Sequence, residues 1–584
     1  MNTESLTKPA DPSGPARSDV SASLPGIRVL NQPLVRNVLL LVLTTAYLFP
    51  FTHVLKPVGD DGTILYGAQR VSEGAVPGRD FLEVMGPGSF YWLGLFFKLF
   101  GAGWEVSRLH LLFTGVVTAG LLYSIARRVC RESSAVLLWL FTLVMGIPLW
   151  PTVSHHWDSN LFVFLALWCY LKLERTEHRA WAVAAGSLAA VTTCFMLPKG
   201  LLLVLGFTAS AVIRGLWPGY YSPSPTPMGA GSPARGRAVW GGLCTLLGSY
   251  AGAGIAVMGA FWRAGALRGL VYSNLVWPLS DYHDINAVPY GFDLMTVAFA
   301  PSHQIFGADR PIPGLISAGL SFIPFLLLAI LPAVFLGAGF APLFFKEGRR
   351  CWSQYLVVTL TGAGLWLSEM HRKDVVHLSV AAPLLLIAVL GSAHLISGNR
   401  HWRAGGRVVT VGLVVFGILN FAATIQGSQV VETRRGKVVS LVDDQALRFL
   451  TGAVKEGEFV FIYPYCPLYY YLADVRNPTR FSLLLYGWNT PAQFDEVIQS
   501  LEEKRVRYVL WDMAAYGDKL RQWFPGYRHP AADKLRLEQY LGKRYEVTAV
   551  SGGFRLLQRR AGEADGTFPD AVNRSNPGRG IASH

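Results

Sequence analysis

Apolar runs of membrane-spanning length recur from about residue 35 to residue 425, separated by short polar stretches. A bilayer core of about 30 Å needs about 20 apolar residues in a helix. Eleven segments fit: 35–55, 105–126, 134–150, 158–171, 180–197, 200–217, 239–261, 313–345, 352–368, 375–396 and 407–425. The eighth is long and carries Pro324 and Pro332, which predict a kink. The run 87–100 is short, holds Lys98 and closes at Gly101, so it is expected to lie at the interface. Beyond about residue 428 the pattern changes. Asp443 and Asp444 precede a helical stretch, and EFVFIY at 458–463 reads as a strand. A helix is predicted over 491–504 with Pro491 in its first turn, and a second strand over 506–511. The stretch 545–558 reads as a hairpin turning at Gly552-Gly553.

The expected fold is therefore a multi-span α-helical membrane protein of about eleven transmembrane helices with a small α/β C-terminal domain at 428–560. Residues 1–33 and 561–584 are polar and read as disordered tails. The first is too long and too polar for a secretory signal peptide. The transmembrane domain covers 34–427, with long outer loops at 56–103 and 262–311. A low-complexity stretch at 218–237 reads as a linker between two helical halves.

Composition agrees with the pattern. The 584 residues are 51% hydrophobic and 15% charged, and the mean hydropathy is +0.33. Charge is costly in a bilayer, so a set of soluble domains is excluded. The net charge of +14 suits a basic edge facing anionic lipid and does not call for nucleic acid. Each of the five short inner loops, 127–133, 172–179, 214–237, 346–350 and 397–407, carries three Lys or Arg. The outer loops are longer in total and sparser in both. By the positive-inside rule the N-terminus is cytoplasmic, and an odd span count puts the C-terminus outside. The six cysteines are scattered, with no CxxC, and point to neither a disulfide framework nor a metal site.

The outer loops gather the other polar groups. Asp60 and Asp61 follow the first span and open a short helix. An N-cap role accounts for one aspartate; a carboxylate at the membrane surface also suits a general base taking a proton from an acceptor hydroxyl. Asp158 opens the fourth span, where capping is again the simple reading. His155 and His156 are candidate metal ligands with Asp158, although adjacent histidines point apart on regular backbone. Lys199 begins the sixth span, where a phosphate would gain from both the helix N-terminus and the lysine; snorkelling is the alternative. Arg372, Lys373 and His377, in a loop that also holds Glu369, His371 and Asp374, could serve the same phosphate. The aromatic run Tyr463, Tyr465, Tyr469, Tyr470 and Tyr471 suits sugar stacking, a lipid surface or ordinary packing.

The stretch DDGTILYGAQRVSEGAVPGRDFLEVMGPGSFYWLGLFFKLFG at 60–101 resembles bacterial membrane glycosyltransferases of the GT-C class. The likeness is to the group of protein O-mannosyltransferases and lipid A aminoarabinose or galacturonosyl transferases. An acidic pair follows the first span, then come a helix, a turn with Gly74, Pro77, Asp80 and Phe81, and an interfacial helix. Lys199-Gly200, DVVHLSVAAP at 374–383 and YPYCPLYYYLADVRNPTR at 463–480 extend the resemblance. It implies location in the bacterial inner membrane and a polyprenyl-phosphate sugar as donor. It also implies an envelope lipid, glycan or protein acceptor on the outer face, and inversion with a first-loop acid as base. Asp60 matches the leading acidic position, Asp61 stands where many relatives have Glu, and Asp158 matches the second-loop acid. A divalent metal stays open. No nucleotide cofactor is expected, since no GxGxxG follows a strand. A transporter or lipid flippase is the alternative and predicts mid-span charges and paired repeats with broken helices; a non-catalytic scaffold of the same fold is another.

Overall fold

A computed structural model describes residues 32–55, 59–216, 233–280, 282–307, 312–339, 341, 352–396, 399–440, 444–551 and 553–561. Each of the eleven predicted segments contains a helix among the described residues. Among the described residues, eight helices are long and apolar enough to cross a membrane: Pro33–His53, Trp104–Val129, Glu132–Leu149, Leu197–Leu216, Gly236–Arg263, Ile312–Ala338, Val375–Ala393 and Arg403–Gln426. The other three fall short for plain reasons. His155–Thr176 carries Asp158, Lys172, Glu174 and Arg175, and Arg179–Phe195 and Trp352–Ser368 have 17 residues each. Helix Ile312–Ala338 runs on through Pro324 and Pro332. Most of the expected linker and both tails lie outside the described residues, but 233–237 already belong to the helix Pro233–Arg263.

Helix Val375–Ile396 lies at the centre. Its most apolar stretch is 89% buried, against 17% for Pro33–His53 at the periphery. Pro87–Phe100 is a 14-residue helix, too short to span a bilayer. It buries Phe90, Leu93 and Phe97 and exposes Tyr91, Leu95, Leu99 and Phe100. The stretch 262–311 contains helices Leu267–Val271, Tyr282–Asn286 and Leu294–Phe306.

The chain beyond the last span forms two small sheets. Strand β1 (Val54–Leu55) leaves the first span, and β2 (Gln429–Thr433) and β3 (Gly436–Ser440) form a hairpin. The order is β1-β3-β2, with β1 parallel to β3 and Val54 opposite Val439. This hairpin, absent from the expected elements, ties the loop after the first span to the C-terminal region and puts both on one side. The second sheet contains β4 (Val460–Tyr463), β5 (Tyr508–Asp512), β6 (Tyr545–Ser551) and β7 (Phe554–Arg559) in the order β4-β5-β7-β6. These strands and the helix Pro491–Glu503 lie where the periodicity predicts them. That helix starts at a complete capping box of Thr490 and Gln493, with Pro491 in its first turn. Asp444 caps Gln445–Ala453 by accepting from the Leu447 N–H at 2.9 Å; Asp443 lies outside the described residues.

The first loop and the C-terminal region share a core. Leu82 packs with Phe461, Phe481 and Leu557, and its N–H donates to the Arg480 carbonyl at 2.9 Å. The Tyr66 hydroxyl accepts from the Asn477 N–H at 2.9 Å. Helix Gly59–Ser72 sits hard against helix Leu468–Leu472; a Cβ on Gly62 would overlap the Leu468 backbone. Tyr463, Tyr469, Tyr470 and Tyr471 are buried at 4% exposure or less, so packing, not sugar stacking, accounts for them. Tyr465 alone of the run is half-buried.

Candidate active site

Asp60 and Asp61 occupy the first turn of helix Gly59–Ser72, where the helix dipole favours negative charge. Consecutive residues on a helix point about 100° apart, and the two carboxylates have different surroundings. Asp61 is fully buried. Both of its oxygens accept from Arg108 Nη2, at 3.0 and 3.2 Å, and Oδ1 also accepts from the Val153 N–H at 2.8 Å. Arg108 stacks on Trp104 with 3.9 Å from its guanidinium carbon to the ring centroid. Asp61 thus pins the first-loop helix to helix Trp104–Val129 and to the loop at Val153.

Asp60 is half-buried and makes no hydrogen bond among the described residues. Burial pushes its carboxyl up to about 6, while the charges of His377 and Arg372 work the other way. Tyr282 and Tyr465 lie within its electrostatic reach. The Tyr465 ring also presses on Gly59, where a Cβ would have no room. Tyr465, Trp488, Phe524 and Tyr282 form a continuous aromatic wall, with ring centroids 4.8–6.0 Å apart.

The loop between Ser368 and Val375 supplies the cationic side. Arg372 donates to Asp374 Oδ2 at 2.6 Å, to Asn286 Oδ1 at 2.9 Å and to the Trp523 carbonyl at 2.8 Å. Asp374 Oδ1 contacts His377 Nδ1 at 2.7 Å and accepts from the His377 N–H at 3.0 Å. Burial alone would raise Asp374, but His377 and Arg372 hold it far below the usual carboxylate range. Asp293, at φ +59°, accepts from the Val375 N–H at 3.1 Å. Burial pushes its carboxyl up to about 6. Lys373 is half-buried, and its side chain has no ion pair among the described residues.

The remaining predicted residues separate into two clusters. Lys199 is 1% exposed, and its ammonium donates to Glu369 Oε1 at 2.7 Å, Ser159 Oγ at 2.8 Å and Asn160 Oδ1 at 3.0 Å. Its three protons are all taken, so gripping a phosphate would first require giving up one of these partners. His156 lies 3.0 Å from Glu369 Oε2, and His155 packs on His156 with centroids 4.0 Å apart. Asp158 turns elsewhere, 3.4 Å from Thr114 Oγ1 and 3.5 Å from His110 Nε2. Nor does it cap its helix, since Ser154 accepts the His156 N–H. His155, His156 and Asp158 therefore do not converge on one point.

Among the described residues, His156, Glu369 and His377 are the set able to hold a metal ion, with one ligand atom from each within 4.8 Å of the others. The fit is partial. Lys199 already neutralises Glu369, and His377 Nδ1 is engaged by Asp374, which leaves Nε2. Lys199→Met is expected to lower thermal stability by about 1–3 kcal/mol, because buried Glu369 would lose its ammonium partner and keep only the imidazoles of His156 and His377 nearby. Unfolding of purified protein in detergent checks this; an unchanged melting temperature would argue that the ammonium is there for a ligand. Sequence reasoning missed Arg108, Tyr282, Asn286, Asp293, Trp488 and Phe524. They reach the site from remote segments, and no local motif marks them.

A helical membrane body with a strand-bearing domain docked on its first loop, and an acidic helix start between them, is the GT-C-like architecture. ArnT from Cupriavidus metallidurans, solved bound to undecaprenyl phosphate, has the same fold. It is 12% identical, with 90% of this chain aligned to 98% of that one at a TM-score of 0.51. The archaeal oligosaccharyltransferase AglB from Archaeoglobus fulgidus, in complex with an inhibitory peptide and a dolichol-phosphate, is 13% identical over 89% of this chain and 74% of its own, at a TM-score of 0.45. No protein-family profile matches the chain, and no curated protein matches it in sequence.

Proposed function

We propose that this chain is a membrane glycosyltransferase that moves a sugar from a polyprenyl-phosphate-linked donor to an envelope acceptor, with Asp60 as general base. The observation that carries this is a half-buried carboxylate with no hydrogen-bond partner of its own among the described residues. It stands at a helix start, beside an aromatic wall and a cationic loop. In the reaction, Asp60 takes the proton of an acceptor hydroxyl as its oxygen attacks the anomeric carbon. The bond from that carbon to the phosphate oxygen breaks, and the polyprenyl phosphate leaves with the electron pair, which inverts the anomeric centre. Asp61 braces the Asp60 helix through Arg108. Tyr465, half-buried, offers a ring face to the sugar. Lys373, whose side chain has no ion pair among the described residues, receives the donor phosphate, and Arg372 shapes the loop that presents it. The undecaprenyl phosphate in ArnT supports a lipid-phosphate donor for this fold.

Incubating the purified chain with polyprenyl-phosphate sugars and cell-envelope extract, then following label into the acceptor fraction, tests the activity. Absence of transfer from every donor would remove it. Lys373→Ala is expected to raise the KM for the lipid donor about tenfold, the loss of one charge-assisted contact, with unchanged protein yield. An unchanged donor KM would move the phosphate elsewhere.

The reading also places the site and the C-terminal region outside the inner membrane, as the Lys and Arg pattern suggests. Single cysteines at positions 80 and 480 in a cysteine-free background should react with an impermeant thiol reagent on cells with a permeabilised outer membrane. One at 228 should not, and the opposite pattern would reverse the topology.

A further inference from the structure

A cavity of 780 Å³ opens between the C-terminal half of the first-loop helix and the strand-bearing domain. Its size lies within the about 300–1,000 Å³ typical of small-molecule sites. The lining is mainly polar and holds five cations, which divide into two groups. Arg435 pairs with Asp474, and Arg480 pairs with Glu496 through two contacts of 2.6 and 2.8 Å. Arg70, Arg476 and Lys504 form no ion pair among the described residues, and the charge of Arg70 also reaches Asp80 and Glu83. Arg70 donates to the Asp80 carbonyl at 2.8 Å and lies over the Phe81 ring at 4.7 Å, which fixes its guanidinium. Lys504 donates to the Pro478 carbonyl. The Arg476 side chain is exposed and unpaired.

Buried polar atoms here also want partners. Gln69 is 6% exposed, and its Oε1 accepts no hydrogen bond; Arg70 Nη1 and Arg435 Nε donate none. Such atoms cost free energy unless water or a ligand satisfies them. The carboxylates without a cation partner, Glu73 and Glu456, are exposed and stay solvated. Phe459, 36% exposed, adds one apolar face to the lining. Fixed cations, an amide with a free acceptor and a single ring face suit a saccharide that bears an anionic group. The guanidinium groups would take the anion, Gln69 a hydroxyl, and Phe459 the C–H face of the ring.

Arg70 lies ten residues along the helix from Asp60, about 15 Å at 1.5 Å per residue. The cavity is therefore separate from the reacting centre, and one helix joins the two. We propose that it binds an acidic saccharide, carboxylated or phosphorylated, and so holds a remote part of the acceptor glycan while Asp60 works on its hydroxyl. Only the link to the acceptor rests on the proposed transferase reading.

The test is equilibrium binding to the purified full chain, read without turnover, with trigalacturonic acid, glucose 6-phosphate and neutral maltotriose as probes. An acidic probe should bind and maltotriose should not. Arg476→Glu should weaken binding roughly tenfold or more, as for loss of a charge-assisted hydrogen bond, and added salt should weaken it too. Arg476 is exposed and unpaired, so the variant should fold; Lys504→Gln serves as an independent second variant. Binding of the uronate assigns a carboxylated sugar, and binding of the phosphate alone a phosphorylated one. No binding of either acid, equal binding of maltotriose, or no effect of both substitutions would overturn the site. Loss of binding would do so even if Asp60 proves to be the base, and a fully active Asp60→Asn variant would leave the cavity site standing.

Discussion

Asp60→Asn is expected to cut the rate of sugar transfer by about 10²–10⁴, the usual contribution of a general base, while the folded protein persists. Asparagine fills the same space and suits a helix start equally well, so the substitution removes charge and basicity alone. The wild-type rate should rise with pH through about 6, as Asp60 loses its proton. Stability should change in the opposite direction. The folded-state value lies above the ordinary 3.8, so the folded protein holds this proton over a range where the unfolded chain has lost it. Asp60 then costs nothing below about pH 4, and its penalty grows up to about pH 6 and persists above. The rise corresponds to at most roughly 3 kcal/mol. The asparagine variant should therefore melt higher than wild type at pH 7.5, with the gap closing toward pH 4. Rate profiles and unfolding curves in detergent read both effects; full activity in the variant would mean the base lies elsewhere.

Asp61→Asn is expected to fail in a different way, by loss of folded protein. The neutral amide leaves the Arg108 guanidinium, itself fully buried, without a counter-ion. Breaking one side of a buried ion pair typically costs about 3–5 kcal/mol, a large part of the stability of an ordinary domain. The variant should accumulate poorly and melt well below wild type, and Asp61→Asn combined with Arg108→Gln should recover part of the loss. Normal accumulation with lost transfer would instead bring Asp61 into the chemistry. Read together, the two substitutions separate a reactive carboxylate from a bracing one, although the residues are adjacent.

The helical membrane body was legible in the sequence because a bilayer imposes length and apolarity on every span. Each of the eleven predicted segments contains a helix among the described residues, and the three below full spanning character show it in their charge or length. Strands β4 to β7 and the helix at Pro491 were legible because alternation and capping are local signals. Strands β1, β2 and β3 were not. β1 has two residues, and it is a strand only because β3 lies beside it about 385 residues later in the chain. The site divides along the same line. That acidic residues crowd the outer loops is a property of the sequence, and it picks out Asp60. Which of two adjacent aspartates stays unpaired depends on helical rotation and on Arg108 arriving from the next helix. That Lys199 is already satisfied depends on Glu369, from a distant segment. That four of five tyrosines are core depends on partners from elsewhere in the chain: Tyr66 stacks on Tyr470, Phe97 on Tyr471, and Phe554 and Trp511 pack on Tyr469 and Tyr463. Composition and periodicity determined what kind of residue lies where; contacts between distant segments decided which polar groups are satisfied and which remain free to react.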